Sequence, residues 1–280
     1  MPMATANQSA RCFLSASIVT YHSDPQLVGL LARSLAESVR SLPADQKSCE
    51  LFLVCNDSDA PYLEPVQERL QEIDEAGVVL SVLSGHGNIG YGAAHNLACA
   101  ASDATYHLVL NPDVELLEGS LAAALDHLEA EPECVLAAPC SQNENGRYLR
   151  LAKRYPSLLV LILRALMVSP DSRRWGNHLR HYTYVGDLPA EQPVSIELAS
   201  GCCMLIRSKA LRSVGGFDGR FFLFFEDFDL SVRLRRLGEL QELPAFRIVH
   251  HGGWATRRQI KRLLHFGRSM LRFYSYHGWK

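Results

Sequence analysis

The run FLSASIVT at residues 13–20 is followed by DPQLVGLLARSLAESVR at 24–40 and by LFLVC at 51–55. The first and third runs are short and apolar, so they predict β-strands. The second run carries apolar residues at helical spacing, with Asp24 suited to the N-cap and Pro25 to the first helical position. This stretch therefore predicts a strand–helix–strand unit, from which parallel sheets are built.

The same alternation continues to residue 110. The pattern predicts strands at 78–83 and 106–110 and helices at 61–73 and 93–101. Strands that alternate with helices favour a mostly parallel sheet with helices on both faces. The predicted fold class is therefore α/β.

The second half of the chain is less regular. Residues 141–193 combine basic pieces, an apolar run and several aromatic residues, and we interpret them as an insertion or a partly mobile cap. Beyond them the pattern predicts a strand over 196–207, a helix over 226–237, a strand over 246–249 and a basic, aromatic helix over 257–276.

The bulk composition narrows the class of protein. The 280 residues carry a formal net charge of −2, which argues against a general nucleic-acid binder. The eight cysteines form no CxxC pair and several lie in apolar runs, so we expect buried free thiols in a reducing compartment. No run approaches the roughly 20 apolar residues of a spanning helix, and residues 1–11 lack an apolar signal core. We expect a cytoplasmic protein, either free or peripheral on the inner face of the membrane.

Polar residues follow each of the four predicted N-terminal strands. Tyr21 follows the first strand, Asp57 the second, the glycine-rich loop 85–92 the third, and Asn111 and Asp113 the fourth. In parallel α/β sheets, ligands bind at the carboxyl ends of the strands. Four polar clusters at that edge predict a ligand site there.

Two of these clusters have both a chemical and a structural interpretation. Asp113, behind the stiff Pro112, can offer a carboxylate to Mg²⁺ or Mn²⁺, although Asn-Pro-Asp is also common turn chemistry. The glycines of loop 85–92 let the backbone approach a phosphate, and the next helix offers free N–H groups. The same glycines equally fit a plain tight turn.

Two further clusters lie in the C-terminal half. Three carboxylates open a predicted helix directly after the aromatic run FFLFF: Glu226, Asp227 and Asp229. Acidic residues stabilise a helix N-terminus, but an aromatic wall also desolvates a carboxylate and raises its basicity, as a general base requires. His250 and His251 end a predicted strand, where a neutral imidazole can either ligate a metal or serve packing alone.

In this order, these pieces resemble glycosyltransferase family 2, and most of all its bacterial rhamnosyltransferase-type branch. The pieces that carry the resemblance are SIVTYHSD (17–24), LVCNDSD (53–59), GNIGYGAAHN (87–96), LVLNPDV (108–114), SGCCMLIRSKALRSVGGFDGRFFLFFEDFDLSVRLRRLG (200–238) and VHHGGWAT (249–256). The stretch from 200 to 238 is the most specific of them, and the resemblance runs from about residue 13 to 276.

The resemblance implies a GT-A fold, in which a Rossmann-like, mostly parallel sheet is flanked by helices. We expect a single domain over residues 10–280. Its expected parts are a nucleotide-sugar-binding half at 10–135, an acceptor-side half at 136–256 that contains the insertion 141–193, and a basic amphipathic C-terminal helix at 257–280.

The resemblance also implies which residues bind the nucleotide-sugar donor. Tyr21 and Asp57 would contact the base. Asn88 and Gly90 would lie near the ribose and diphosphate. Asn111 belongs to the same group because it opens the Asn-Pro-Asp motif, which carries a single acid where the family more often has two.

The remaining implied roles concern the metal and the acceptor. Asp113 would hold a divalent metal, Mg²⁺ or Mn²⁺, that bridges the diphosphate, and His250 or else His251 would complete the metal site. Asp227 would deprotonate the acceptor hydroxyl. The other residues expected on the acceptor side are Gly201, Glu226 and Asp229.

The resemblance implies an inverting transfer to a saccharide or lipid-linked glycan in polysaccharide or cell-envelope synthesis. The branch suggests rhamnose or another deoxyhexose, carried by dTDP or UDP. A sugar-phosphate nucleotidyltransferase is an alternative, but it needs a basic, glycine-rich N-terminal loop, and residues 13–25 contain no Lys, Arg or Gly. A catalytically inactive nucleotide-sugar-binding protein is a second alternative, which the intact set of Asp113, Asp227 and His250 disfavours.

The C-terminal helix has two interpretations. Its apolar residues at 260, 263, 264, 271 and 274 fall on one helical face, and its cations at 257, 258, 261, 262, 268 and 272 lie mostly elsewhere. The helix either packs on the domain with a solvated basic face or lies on an anionic membrane that carries the acceptor.

Overall fold

Four strands of the N-terminal half form the parallel part of the central sheet. The structure, a computed structural model, describes residues 12–57, 60–71, 73, 77–252 and 260–279. The four strands are β1 (Leu14–Thr20), β2 (Cys49–Cys55), β3 (Val78–Leu83) and β4 (Tyr106–Leu110). β1 lies between β2 and β4 and is parallel to both, and all of its residues are buried. A strand covered on both faces reads as a continuous run, which is why the sequence predicted it.

The C-terminal half extends the same sheet with strands of both directions. These strands are β5 (Val114–Leu116), β6 (Cys134–Gln142), β7 (Tyr148–Leu149), β8 (Val194–Ser195), β9 (Cys203–Arg207) and β10 (Glu239–His250). The order along the sheet is β3-β2-β1-β4-β9-β6-β10-β5. β9 is antiparallel to β4 and β6, whereas β10 is parallel to β6 and antiparallel to β5. The α/β class is confirmed, with a parallel N-terminal part and a mixed C-terminal part.

The strand predicted over 196–207 is wrong in its first half. Only β9 pairs within the sheet, while Leu198 makes an isolated antiparallel bridge to Lys153. Ile196 and Ala199 are nevertheless buried in the core. A buried segment that pairs at only isolated positions produces the same apolar run as a continuous strand, so the pattern could not separate the two.

Helices cover both faces of the sheet. They are α1 (Pro25–Arg40), α2 (Ala60–Leu70), α3 (Tyr91–Ala101), α4 (Ser120–Ala130), α5 (Leu158–Ala165), α6 (Gly176–Tyr182), α7 (Ser208–Ser213), α8 (Glu226–Leu234) and α9 (Ile260–His277). The predicted cap of α1 is confirmed, because Oδ1 of Asp24 accepts a 2.8 Å hydrogen bond from the N–H of Gln26. Among the described residues, no helix is both long and apolar enough to cross a bilayer.

The hydrophobic core divides between the two faces of the sheet. Leu31 and Leu35 of α1 pack with Leu125 of α4 in one cluster, and Leu211 of α7 packs with Leu230 of α8 in another. All eight cysteines are unpaired, as predicted, and five of them are buried. With both faces covered, the carboxyl edge of the sheet is the surface left for a site.

The helix α9 packs through a face that shares only Tyr274 with the part of the predicted apolar face that the structure describes. Its buried and partly buried side is aromatic and contains Phe266, Met270, Phe273 and Tyr274. Leu263, Leu264 and Leu271 of the predicted apolar face are 72%, 59% and 55% exposed. The large rings bury more apolar area than the leucines, so they decide which face meets the domain. Arg257 and Arg258 lie outside the described residues.

Candidate active site

The turn after β4 brings a carboxylate and an imidazole together. Asn111 anchors this turn, because its N–H donates a 2.8 Å hydrogen bond to the carbonyl of Cys202. β10 runs antiparallel to β5 and pairs His250 with Val114. As a result, Oδ1 of Asp113 lies 3.3 Å from Nε2 of His250.

These two atoms suit a divalent cation. Both are buried, and neither has a hydrogen-bond partner among the described residues. Gly252 packs so closely that a Cβ at this position would overlap Oδ2 of Asp113. A carboxylate oxygen and an imidazole nitrogen are ordinary ligands of Mn²⁺, which also takes phosphate oxygens. The described part of the chain holds no cluster of three or more potential protein ligands. Ions of this kind commonly keep water and bind substrate phosphate oxygens beside one or two protein carboxylates.

His251 has a different environment from His250. Its Nδ1 lies 3.0 Å from Oε1 of Glu144 and its Nε2 lies 2.9 Å from Oε2 of Glu115. Burial lowers the pKa of His251, but the hydrogen bonds to both carboxylates outweigh burial, and the pKa is raised. Because both ring nitrogens are engaged, the structure favours His250 over His251 as the partner of Asp113.

Asp227 lies at the start of α8, where the backbone is held in an unusual conformation. Phe224 and Phe225 precede the helix with φ of 69° and 64°, which is rare for residues with large side chains. The carboxylate of Asp227 accepts hydrogen bonds from the N–H of Gly201 at 3.0 Å and from that of Phe228 at 2.9 Å. Burial nevertheless raises the pKa of Asp227. A carboxylate that is oriented and more basic than usual is suited to accept a proton.

The two acidic neighbours of Asp227 differ from it and from each other. Glu226 is 5% exposed, and its Oε2 has no hydrogen-bond partner among the described residues. Burial and then the charge of Asp227 raise the pKa of Glu226 well above its usual value, so the fold favours the protonated form of this side chain. Asp229 instead binds Arg233 within α8 at 2.7 Å, and its contact with His277 at 2.8 Å joins α8 to α9. Its acceptor-side role stays a prediction.

Tyr91 connects the Asp113 turn with the Asp227 loop, and the sequence analysis missed it. Its hydroxyl oxygen lies 2.9 Å from Oδ1 of Asn111 and 2.6 Å from the carbonyl oxygen of Gly201. Burial raises the pKa of Tyr91 well above its usual value, so the hydroxyl keeps its proton. Tyr91 is the first residue of α3, directly after the glycine-rich loop, and that position was its only sequence signal.

The glycine-rich loop is held against the aromatic loop before α8. Gly90 has φ of 92°, and a Cβ there would overlap the carbonyl oxygen of Phe222. The same carbonyl accepts a 3.0 Å hydrogen bond from the N–H of Tyr91. Asn88 supports the turn, because its Oδ1 accepts a 3.1 Å hydrogen bond from the N–H of Gly90. Glycine is therefore required at position 90 because the glycine-rich loop and the aromatic loop before α8 approach each other closely there.

Tyr21 and Asp57 lie at the ends of β1 and β2, as predicted. The Tyr21 ring is 54% exposed and packs against His22. Both carboxylate oxygens of Asp57 accept hydrogen bonds from the N–H of His22, at 2.8 and 3.0 Å. The structure thus orders Asp57 beside an exposed aromatic ring, an arrangement that can receive a planar base.

Lys153 is a second residue that the sequence analysis missed. Its ammonium group donates hydrogen bonds to the carbonyls of Arg150, Leu151 and Ala152. Burial, and then the charge of Arg164, lower the pKa of Lys153 to about 7. The positive charge of Lys153 in turn lowers the pKa of Asp227, which partly offsets the effect of burial. No sequence motif indicated Lys153, because its effect is on Asp227, which lies about 75 positions away in the chain.

Comparison with known proteins identifies the family. The Glycosyl transferase family 2 profile matches residues 15–215. Among curated proteins, an N-acetylglucosaminyl-diphospho-decaprenol L-rhamnosyltransferase of Mycobacterium tuberculosis is 33% identical over 61% of this chain and 58% of its own. Rhamnosyltransferase WbbL of Escherichia coli (strain K12) is 26% identical over 65% of this chain and 68% of its own. The alignment thus spans somewhat more than half of the mycobacterial relative.

Solved structures show the same fold. GalNAc-T7, solved with UDP, GalNAc and Mn²⁺, superposes with a TM-score of 0.64 at 12% identity, over 95% of this chain and 48% of its own. The mannosyltransferase PcManGT from Pyrobaculum calidifontis, solved with GDP-Man and Mn²⁺, superposes with a TM-score of 0.63 at 15% identity, over 94% and 64%. The fold is GT-A, as the sequence motifs implied.

Proposed function

This chain belongs to glycosyl transferase family 2, and we propose that it transfers a sugar from a nucleotide-sugar donor to a carbohydrate hydroxyl, with inversion at the anomeric carbon. One observation carries the proposal: Tyr91 lies within hydrogen-bond distance of both Asn111, in the turn of Asp113, and Gly201, which holds Asp227. The proposed diphosphate site and the proposed general base are thereby held beside each other.

Asp227 is the proposed general base. The acceptor hydroxyl attacks the anomeric carbon from the face opposite the diphosphate, and its oxygen forms the new glycosidic bond. The bond from the anomeric carbon to the diphosphate breaks, and its electron pair leaves with the diphosphate. The proton of the hydroxyl passes to the carboxylate of Asp227, whose raised pKa favours this step.

Asp113 and His250 are the proposed protein ligands of a divalent cation. Both solved neighbours named above contain Mn²⁺, and the unpartnered, facing atoms of Asp113 and His250 suit such an ion. When bound, a divalent cation neutralises charge that develops on a departing diphosphate. Fixing the ion between β5 and β10 would orient the donor relative to Asp227.

The curated relatives support a proposal for the donor and the acceptor. Both named relatives are rhamnosyltransferases, and the mycobacterial protein is named for a lipid-linked N-acetylglucosamine diphosphate. We therefore propose rhamnose or another deoxyhexose, carried by dTDP or UDP, as the transferred sugar. The proposed acceptor is a saccharide or a lipid-linked glycan of polysaccharide or cell-envelope synthesis. Tyr21 and Asp57 would receive the base, and Asn88 and Gly90 would border the ribose and diphosphate.

A lipid-linked acceptor requires access to a membrane surface, and α9 provides a suitable face. Leu263, Leu264 and Leu271 are exposed, and Arg268 is exposed among them. Exposed aliphatic side chains beside cations favour an interfacial helix on anionic lipid. We propose that the protein acts at the cytoplasmic face of the membrane through peripheral contact by α9.

Nucleotide release tests the proposed function. The full chain is incubated with dTDP-rhamnose, UDP-N-acetylglucosamine, UDP-glucose or GDP-mannose, with Mn²⁺ or Mg²⁺, and free nucleoside diphosphate is measured. We expect release from at least one donor, increased by a glycan acceptor and reduced by the Asp227→Asn substitution. Binding of a donor with no release and no transfer would favour the inactive binding protein instead.

A further inference from the structure

A cavity of about 350 Å³ lies between α5 and α6, in the inserted segment 141–193. One side of it is lined by Tyr155 and Ser157, and the other by Asn177, His178, His181 and Tyr182. Small-ligand pockets in proteins usually measure about 300–1,000 Å³, so the cavity can take one small ring system.

The lining of this α5–α6 cavity is polar but carries no carboxylate, ammonium or guanidinium group. Its hydrogen-bonding groups are hydroxyls, one carboxamide and two imidazoles. A nucleoside diphosphate is usually held by Lys or Arg side chains around its phosphates. The lining therefore favours an uncharged ligand that has many hydroxyl groups.

Several of these polar groups are available to a ligand. The side chains of Asn177 and His181 are exposed and form no hydrogen bond with the residues that the structure describes. The hydroxyl of Tyr182 accepts a 3.1 Å hydrogen bond from Arg164, and within the described chain its own proton has no acceptor. A carboxamide, an imidazole and a phenol can pair with the alternating donors and acceptors of a sugar ring.

Aromatic rings supply the apolar contact that a sugar ring also needs. The ring of Tyr155 is fixed by Phe273, with centroids 5.2 Å apart, and Tyr182 is buried. Rigid rings present apolar area at a low cost in conformational entropy, and the C–H groups of a pyranose can pack on them.

Backbone pairing connects the cavity to the proposed base. The N–H of Arg154 donates a 2.9 Å hydrogen bond to the carbonyl of Tyr182. Lys153 and Leu198 exchange two hydrogen bonds of 3.0 Å, and the chain then leads to Gly201, whose N–H holds Asp227. Burial raises the pKa of Tyr182 to about 12, and the negative charge of Asp227 adds to that rise. Backbone pairing thus joins the lining of the cavity to the loop that holds Asp227.

We propose that the α5–α6 cavity binds an uncharged sugar ring of the acceptor, and so selects which glycan presents its hydroxyl to Asp227. This inference rests on the proposed function, because it assigns the acceptor side of the same reaction. It gives the inserted segment a role in specificity in addition to its role in packing.

Saturation-transfer NMR with the full chain tests the inference directly. The probes are the methyl glycosides of N-acetylglucosamine, glucose, galactose and rhamnose. We expect saturable binding of at least one probe. The double substitution Asn177→Ala/His181→Ala should weaken that binding about tenfold, and Tyr182→Phe about two- to tenfold, because each change removes one or two hydrogen bonds. Arg180→Ala is the control, since Arg180 is exposed on α6 and does not line the cavity.

The outcomes separate this inference from the proposed function. If the wild-type protein binds none of the probes, or if the double variant binds them as well as the wild type, the cavity is not the acceptor subsite. Nucleoside diphosphate release is measured on the same samples. If nucleoside diphosphate is released but the variants bind the glycosides as well as the wild type, only the inference about the cavity is wrong. If the variants lose glycoside binding but no nucleoside diphosphate is released, the proposed transfer reaction is wrong and the sugar site in the cavity remains supported.

Discussion

The N–H of Gly201 donates a 3.0 Å hydrogen bond to Oδ2 of Asp227, although the two residues lie 26 positions apart. Gly201 follows the segment that pairs with Lys153, and Asp227 opens α8 after two residues with positive φ. The bond fixes one carboxylate oxygen while the other accepts from the N–H of Phe228. The carboxylate is therefore oriented before any substrate arrives.

Asp227→Asn should reduce turnover and leave nucleotide binding almost unchanged. The amide has nearly the same shape, but it cannot accept the proton of the acceptor hydroxyl, and loss of a general base costs about 10²–10⁴-fold in rate. Steady-state transfer kinetics and calorimetry with nucleoside diphosphate measure the two effects. Asp126→Asn, at an exposed position on α4, is the matched control. Full turnover in the Asp227 variant would show that another group is the base.

Metal-dependent nucleotide binding should distinguish His250 from His251. Asp113→Ala and His250→Ala should each remove most of the gain in nucleoside diphosphate affinity that Mn²⁺ provides, because they remove the two unpartnered facing atoms. His251→Ala should keep that gain, since His251 is paired with Glu115 and Glu144. Calorimetry with and without Mn²⁺ gives the answer. The assignment of His250 is wrong if His250→Ala keeps the full metal effect and His251→Ala loses it.

Gly90→Ala should destabilise the fold more than Gly87→Ala does. Both glycines have positive φ, but a Cβ at 90 would overlap the carbonyl of Phe222, whereas nothing lies within 4 Å of a Cβ at 87. We expect a loss of about 1–2 kcal/mol for Gly87→Ala and about 2–5 kcal/mol for Gly90→Ala. Denaturant unfolding measures both losses. Equal losses would mean that backbone conformation alone requires glycine at 90.

Glu226→Gln should gain stability relative to the wild type as pH rises. Burial and the charge of Asp227 raise the pKa of Glu226 in the folded state, so folding favours its protonated form. The resulting contribution of Glu226 to the free energy of unfolding is complete below the unfolded-state pKa of about 4.3, and it is lost as pH rises towards the folded-state pKa. Within that window the wild type should lose up to about 1.4 kcal/mol per pH unit relative to the variant.

Denaturant unfolding at several pH values tests the behaviour of Glu226. Glu131→Gln, at an exposed position beyond α4, controls for the general effect of removing one carboxylate. A constant difference between Glu226→Gln and the wild type over pH 5–8 would contradict a folded state that holds Glu226 protonated.

Leu264→Gln/Leu271→Gln should weaken sedimentation with anionic vesicles if α9 lies on the membrane. Both side chains are exposed, so the change should remove lipid contact and leave the aromatic packing of α9 intact. Vesicles of phosphatidylglycerol and phosphatidylcholine at low salt are the probe. Val79→Gln/Leu237→Gln removes two exposed apolar side chains elsewhere and is the control. If the wild type stays in the supernatant, α9 makes no such contact.

The local sequence pattern was enough to predict the N-terminal half of the fold and part of the site. β1 and β4 are runs buried on both faces, β2 is nearly so, and α1 has a side-chain cap, so short stretches carry their own signal. The rule that parallel strands end at one edge then placed Tyr21, Asp57 and Asp113 at that edge. The family motifs added Asp227, which periodicity alone could not separate from helix capping.

Tertiary structure decided what depends on residues that are distant in sequence. Tyr91 meets a carbonyl 110 positions away, and only the pairing of β10 with β5 turns His250 towards Asp113 while His251 meets Glu115. His250 is the last residue of β10 and His251 lies just beyond it, so the sequence could not choose between the two histidines without the end and the register of the strand. The face through which α9 packs was likewise decided by tertiary contacts, because its large rings bury more apolar area against Phe221 and Phe225 than the leucines would.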